Sequence, residues 1–162
     1  MCNTRKQHLR GAQSDTGEHH ILHSDSISQE TLTAYLETRF HVGGSQPFTL
    51  KIGVPSEALA AMHKAQHSDS SAFITACNPF GQAIDDSANA ARQATLEQEL
   101  KQRGLSYVEG LGQHPSNQWP GEASFLVFGL SREAAKVLGV HHGQNAVVWC
   151  GPYATPELVL LR

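Results

Sequence analysis

The chain has 162 residues, of which 40% are hydrophobic and 17% charged, and its formal net charge is -3. That length suffices for one domain with its own core, and the lack of a basic excess disfavours nucleic acid as a partner. No apolar run approaches the roughly 20 residues that span a bilayer, and Met1 to Arg10 lacks the apolar stretch of a signal peptide, so a cytoplasmic protein without a membrane partner is expected.

Residues 1–25 are rich in Asn, Gln, Ser, Asp and His and poor in large apolar side chains, the composition of a disordered tail. The cluster His19-His20-x-x-His23 offers imidazoles but neither thiolates nor a rigid frame, so no metal is assigned to it. Residues 26–162 are expected to form a single α+β domain. Leu32, Tyr35 and Leu36 recur at helical spacing between Ser28 and Thr38. A hairpin follows, with Phe40 and Val42 alternating before Gly43-Gly44, and Phe48, Leu50 and Ile52 alternating after it. Ser56 caps a helix through Leu59, Ala60 and Met62, which ends in the polar stretch His67 to Ser70.

Ala72 to Cys77 reads as a strand, Asp85 to Arg103 as a long helix closed by Gly104, and Leu105 to Glu109 as a second strand. After a long loop, Gly110 to Gly121, come a strand at Ser124 to Phe128 and a helix capped by Ser131 and stopped by Gly139. A fourth strand spans Asn145 to Cys150. This β-α-β-β-α-β succession predicts a ferredoxin-like core with helices on one face of an antiparallel sheet. The helix and hairpin precede it, and Glu157 to Leu161 adds a C-terminal edge strand after the Gly151-Pro152 turn.

Cys2, Cys77 and Cys150 are odd in number and widely spaced, so they read as reduced thiols. Cys77 and Cys150 end apolar runs, as small hydrophobes do; a nucleophile would need a base that the sequence does not locate.

The unexpected polar residues carry the functional reading. On the long helix Asn89, Gln93, Leu96 and Leu100 share one face, so Asn89, Arg92 and Gln93 point towards the sheet near the helix N-terminus. Groups so placed need partners. The preceding loop brings Asn78, Glu122 and Ser124 flank the start of an apolar strand, and Gln144 and Asn145 open another. One reading is a pocket for a small anionic ligand, possibly nucleotide-like, formed by Asn78, Asn89, Arg92, Gln93, Glu122, Ser124, Gln144 and Asn145. The other is that these groups tie the loop to the helix, with Arg92 paired to a carboxylate. A hydrolase or transferase would use Glu122 or His114 for proton transfer and Arg92 for developing charge. A protein-interaction domain would use the hairpin or the C-terminal strand as a pairing edge. Trp119 either stacks on a ligand ring or pins its own loop, and His114 is either a proton carrier or an exposed loop histidine. No nucleophile elbow, phosphate-binding loop, zinc-protease helix or dinucleotide glycine fingerprint is present, and no cofactor is implied.

The segments Ala72-Phe73-Ile74-Thr75-Ala76, Asn78-Pro79-Phe80, Asn89-Ala90-Ala91-Arg92-Gln93, Trp119-Pro120-Gly121-Glu122 with Ser124, and Gly143 to Trp149 together resemble the bacterial family known as domain of unknown function 3293, over about residues 31 to 161. The resemblance implies a bacterial domain and no particular reaction. Cys77 stands where the family's Asn-Pro motif would carry an aromatic residue, which counts against a required nucleophile there.

Overall fold

The computed structural model describes residues 27–116 and 118–162. The polar tail, with its histidine cluster and Cys2, lies outside the described residues, as does Asn117. In chain order the elements are α1 (Gln29–Glu37), β1 (Arg39–Val42), β2 (Phe48–Leu50), α2 (Glu57–Ala65), β3 (Ser71–Ile74), a 3-10 turn (Pro79–Gly81), α3 (Asp86–Gln102), β4 (Tyr107–Gln113), β5 (Glu122–Phe128), α4 (Arg132–His141), β6 (Ala146–Cys150) and β7 (Pro156–Leu160). Their α+β arrangement is built on one seven-stranded sheet of order β2-β1-β4-β5-β3-β6-β7 in which every neighbouring pair is antiparallel. Among the described residues no helix is long and apolar enough to cross a membrane.

Each helix starts where an oxygen-bearing side chain closes its first turn. Ser28, Ser56, Asp85 and Ser131 accept from the backbone N–H three residues on, satisfying a donor the helix itself leaves open. Strand alternation then divides the apolar residues between two faces. Ala72, Ile74, Phe125, Val127 and Val147 pack under α3 through Leu96 and Leu100, and under α4 through Ala135 and Leu138. Phe40, Phe73, Leu126, Phe128 and Val148 face the other way and join Leu59 of α2. Both faces of the central strands are therefore buried, which is why β3 is closed to solvent along its whole length.

Three boundaries differ from the sequence reading, each for a tertiary reason. The strand expected from Ala72 to Cys77 stops at Ile74, because the next residues are held by side chains rather than by a neighbouring strand. The loop expected from Gly110 to Gly121 shortens, since β4 runs to Gln113 and pairs Gly110 with Ser124 and Gly112 with Glu122. Gly110 is in a strand because there is no room for a side chain: a Cβ would lie 2.6 Å from the Phe73 ring and 2.8 Å from the His41 carbonyl oxygen. Gly139 does not stop α4. The helix continues to His141, and it is Gly143, at φ +69°, that turns the chain away.

Gly139 is instead the point where α4 presses its backbone on the sheet, and a Cβ there would lie 2.6 Å from Val147 Cγ1 and from Leu161 Cδ1. Helix propensity favours alanine over glycine by about 1 kcal/mol, whereas overpacking a filled core costs about 1–3 kcal/mol. Gly139→Ala is expected to lower stability by roughly 1 kcal/mol, since Val147 is fixed in a buried strand. Urea unfolding checks the sign, and a stabilised variant would contradict this packing.

Candidate functional site

The site follows from the shortness of β3. Its neighbours β5 and β6 run antiparallel to it, so the beginnings of both lie beside the end of β3. The last paired positions are Ile74 with Phe125 and Phe73 with Val148. Glu122 to Ser124, at the start of β5, and Gln144 to Val147, leading into β6, thus border a gap where β3 would have continued.

Residues 75–78 cross that gap, and side chains hydrogen-bond their backbone. The Ala76 N–H donates to Gln93 Oε1 (3.0 Å), and the Asn78 N–H donates to Asn89 Oδ1 (2.8 Å). The Ala76 carbonyl accepts from Arg92 Nε (2.8 Å) and the Cys77 carbonyl from Gln144 Nε2 (3.1 Å). The Asn78 side chain completes the lattice: its Oδ1 accepts from Asn89 Nδ2 and from the Ile84 N–H, and its Nδ2 donates to Glu122 Oε1 at 2.8 Å. A second arm of Arg92 donates to the His142 carbonyl (2.8 Å), at the C-terminal cap of α4, where a cation also suits the helix dipole.

Five of the eight residues proposed as ligand groups, Asn78, Glu122, Ser124, Gln144 and Asn145, line one cleft of about 590 Å³. Its walls include Tyr35 of α1, Phe40, Phe73, Phe80 and Trp119. A smaller cavity of about 510 Å³ takes in Asn89 and Gln93 and shares Asn78, Glu122, Cys77 and the Trp119-Pro120 corner with the first. Arg92 lines neither, and its partners are carbonyl oxygens where the tying alternative expected a carboxylate. Trp119, 59% exposed, borders both cavities.

The cleft wall carries two carboxylates, Glu30 and Glu122. Glu122 is mostly buried, and burial raises its pKa while the Asn78 hydrogen bond opposes the rise. Burial also pushes the Tyr35 phenol up, opposed by its hydrogen bond to Asn145 and reinforced by the Glu122 carboxylate. Burial raises the Cys77 thiol too, so this sulfur is held protonated, packed 3.6 Å from the Ala123 carbonyl; a small buried thiol is what its surroundings support. His114 is no exposed loop histidine. Its side chain is 11% exposed, with Nε2 2.7 Å from Glu37 Oε2 of α1, and Nδ1 accepts from the Ser116 N–H.

Sequence reasoning offered Trp119 as a ring to stack on a ligand but overlooked the other aromatic walls and the place of α1 in the cleft. Tyr35 looks like an ordinary core-facing residue of an amphipathic helix, yet α1 buries none of its residues fully and contributes Glu30, Thr31, Ala34 and Tyr35 to the cleft. Phe80 gave no signal either. Its backbone sits in the left-handed region at φ 58°, ψ 25°, an uncommon state for an aromatic residue, held by its N–H donating to the Gly143 carbonyl at 2.7 Å.

Residues 74–147 match the model of the family described as "Protein of unknown function (DUF3293)", a stretch that contains the 75–78 segment, α3, Glu122, Ser124, Gln144 and Asn145. No curated protein and no solved structure gives a match.

Two outcomes follow. Arg92→Ala removes hydrogen bonds from a charged donor to two carbonyls, each worth about 1.5–3 kcal/mol, so a loss of roughly 3 kcal/mol is expected in urea unfolding; a loss below about 0.5 kcal/mol, the usual range at a surface position, would show that the tie is idle. Glu122 has a folded pKa above its ordinary 4.5, so its contribution to stability is fully present below that value and is lost as pH rises through the folded one. Glu122→Gln keeps an acceptor for Asn78 without the charge. The variant is expected to melt above the parent at pH 7, with the gap closing towards pH 4; a gap that does not change with pH would contradict the assignment.

Proposed function

We propose that the gap at the end of β3 is a binding site for a small, flat, neutral or positively charged molecule. The observation that carries this reading is the convergence of Glu122, Ser124, Gln144 and Asn145 from two strand starts into one aromatic-walled cleft. A volume of about 590 Å³ falls within the size range of small-molecule sites, which pair apolar walls with a few placed polar groups. The strained backbone at Phe80 lies on the cleft wall and is the sort of feature that a packed surround maintains at ligand sites.

An anionic ligand loses its main support here. Arg92 is committed to two carbonyls, and the carboxylates on the cleft wall are Glu30 and Glu122. An anion would meet a half-buried carboxylate, and the Arg162 guanidinium beside the wall is engaged by Asn145 Oδ1 at 3.2 Å and by the Phe80 ring at 4.7 Å, whereas a cationic or N–H-bearing ring would be attracted to the carboxylate. A proton-transfer role for Glu122 is the second reading, favoured by the rise that burial gives its pKa. A ferredoxin-like core is also part of this proposal, supported by the order β4-β5-β3-β6 of the strands that alternate with α3 and α4.

Thermal unfolding with nucleobases, nucleosides, aromatic amines and the phosphate esters of the same nucleosides tests the ligand class. A neutral or cationic ring at 100 times its dissociation constant should add about 2.7 kcal/mol, and the phosphate esters should add less. In Glu122→Gln the cationic members should bind about tenfold or more weakly, the loss expected when a charged partner is removed from a hydrogen bond. Stabilisation by phosphate esters alone, or affinities unaltered by Glu122→Gln, would overturn the assignment.

A further inference from the structure

Away from the cleft, α3 and the end of α4 bring together three side chains that neither the sequence reading nor the site above uses. Glu99 lies one turn after Leu96 on α3, and His141 and His142 close α4. His142 Nε2 is 3.2 Å from Glu99 Oε2, and His141 Nδ1 is 3.9 Å from Glu99 Oε1. One ligand atom from each of the three lies within 4.8 Å of the others. The two imidazole rings stack with centroids 5.0 Å apart.

We propose that Glu99, His141 and His142 form a binding site for a divalent transition-metal ion of the zinc class. Two imidazoles and a carboxylate are the nitrogen and oxygen donors such an ion takes, and ligands about 2.0–2.2 Å from a central ion stand about 3.3–3.6 Å apart in a tetrahedron; one donor atom from each side chain already lies within 4.8 Å of the others, so the set has to close by about 1 Å. A hydrogen bond between Glu99 and His142 explains one of those contacts. The second carboxylate oxygen lies 3.9 Å from the neighbouring imidazole, beyond hydrogen-bond length. An ion bound by all three side chains would draw that second pair together.

The setting favours a cation as well. Both histidines sit at the C-terminal end of α4, the negative end of its dipole. Burial is graded across the set, with side chains 7% exposed for His142, 25% for Glu99 and 67% for His141. His142 and Glu99 therefore form the inner side of the set and His141 closes it from the solvent side, leaving a fourth position open to water or an exogenous donor. Filling the site would cross-link α3 to the end of α4. That cross-link lies next to the His142 carbonyl, which accepts from Arg92 and from Gln144 Nε2.

Titration calorimetry of the full chain with zinc chloride, alongside thermal unfolding, tests the proposal. The parent should bind one zinc ion with high affinity and melt at a higher temperature when it is bound. His141→Ala removes an exposed ligand, so it should leave the melting temperature without metal unchanged while weakening zinc binding by at least about tenfold, the loss seen even for partners outside the ligand shell. Glu99→Gln should weaken binding similarly. A chain with His19, His20 and His23 replaced by alanine should retain the event. The proposal is overturned if the parent shows no such event, if His141→Ala and Glu99→Gln bind zinc as the parent does, or if only the tail variant loses binding.

Discussion

The structure depends on β3 ending after four residues. A longer β3 would use its own backbone groups to pair β5 with β6, and the sheet would be continuous at that end. Because pairing ceases at Ile74, the N–H and carbonyl groups of residues 75–78 need other partners, and buried backbone groups without partners are costly. Gln93, Asn89, Arg92 and Gln144 supply them. The same substitution of side chain for strand leaves Glu122, Ser124 and Asn145 facing a cleft rather than a ladder. Structural tie and binding surface are thus two sides of one segment, and Asn78 belongs to both, bonded to Asn89 on one side and Glu122 on the other.

This division shows what the sequence could reveal. Helix caps were legible because Ser28, Ser56, Asp85 and Ser131 act through local geometry, and the two faces of the sheet were legible in the alternation of residues such as Phe73 and Ile74. The polar stripe on α3 was legible because Leu96 and Leu100 fix which way Asn89 and Gln93 point. What each polar group bonds to was not legible. Arg92 could be matched in sequence to an anion or a carboxylate, but its carbonyl partners are set by the end of β3 and the end of α4, separated along the chain by tens of residues. Gly110 and Gly139 misled for a related reason: each looked like a breaker, yet each is a place where a ring, a carbonyl or a strand side chain occupies the space of a Cβ.

Apart from Trp119, the aromatic wall was hidden because its members have ordinary local explanations. Phe40 and Phe73 are core residues by alternation and meet edge to face at 5.2 Å, while Tyr35 is one of three apolar positions on a short helix. Only the fold places α1 over the end of β3, where the Tyr35 phenol reaches Asn145 and Glu37 reaches His114. Because α1 buries no residue fully, those polar contacts and the partly buried Tyr35 determine its position more than a core stripe does. Such a helix follows the shape of what lies beneath it.

Gln93 shows the cost of building the gap this way. Its Oε1 is used by the Ala76 N–H, but its buried Nε2 has no hydrogen-bond partner among the described residues, a penalty of about 1–3 kcal/mol. An apolar residue would avoid that penalty and would instead leave the Ala76 N–H unpaired, which costs a similar amount. Helix geometry breaks the tie. Asn89 lies one turn before Gln93 and holds the Asn78 N–H, so with both amides present the segment is gripped at two alternate residues, and Arg92 takes the carbonyl between them. Replacing Gln93 would release one end of a three-point clamp and leave Ala76 held through its carbonyl alone, loosening the edge of the gap that Glu122 and Ser124 border. The unsatisfied donor is the residual cost of holding a strand end open.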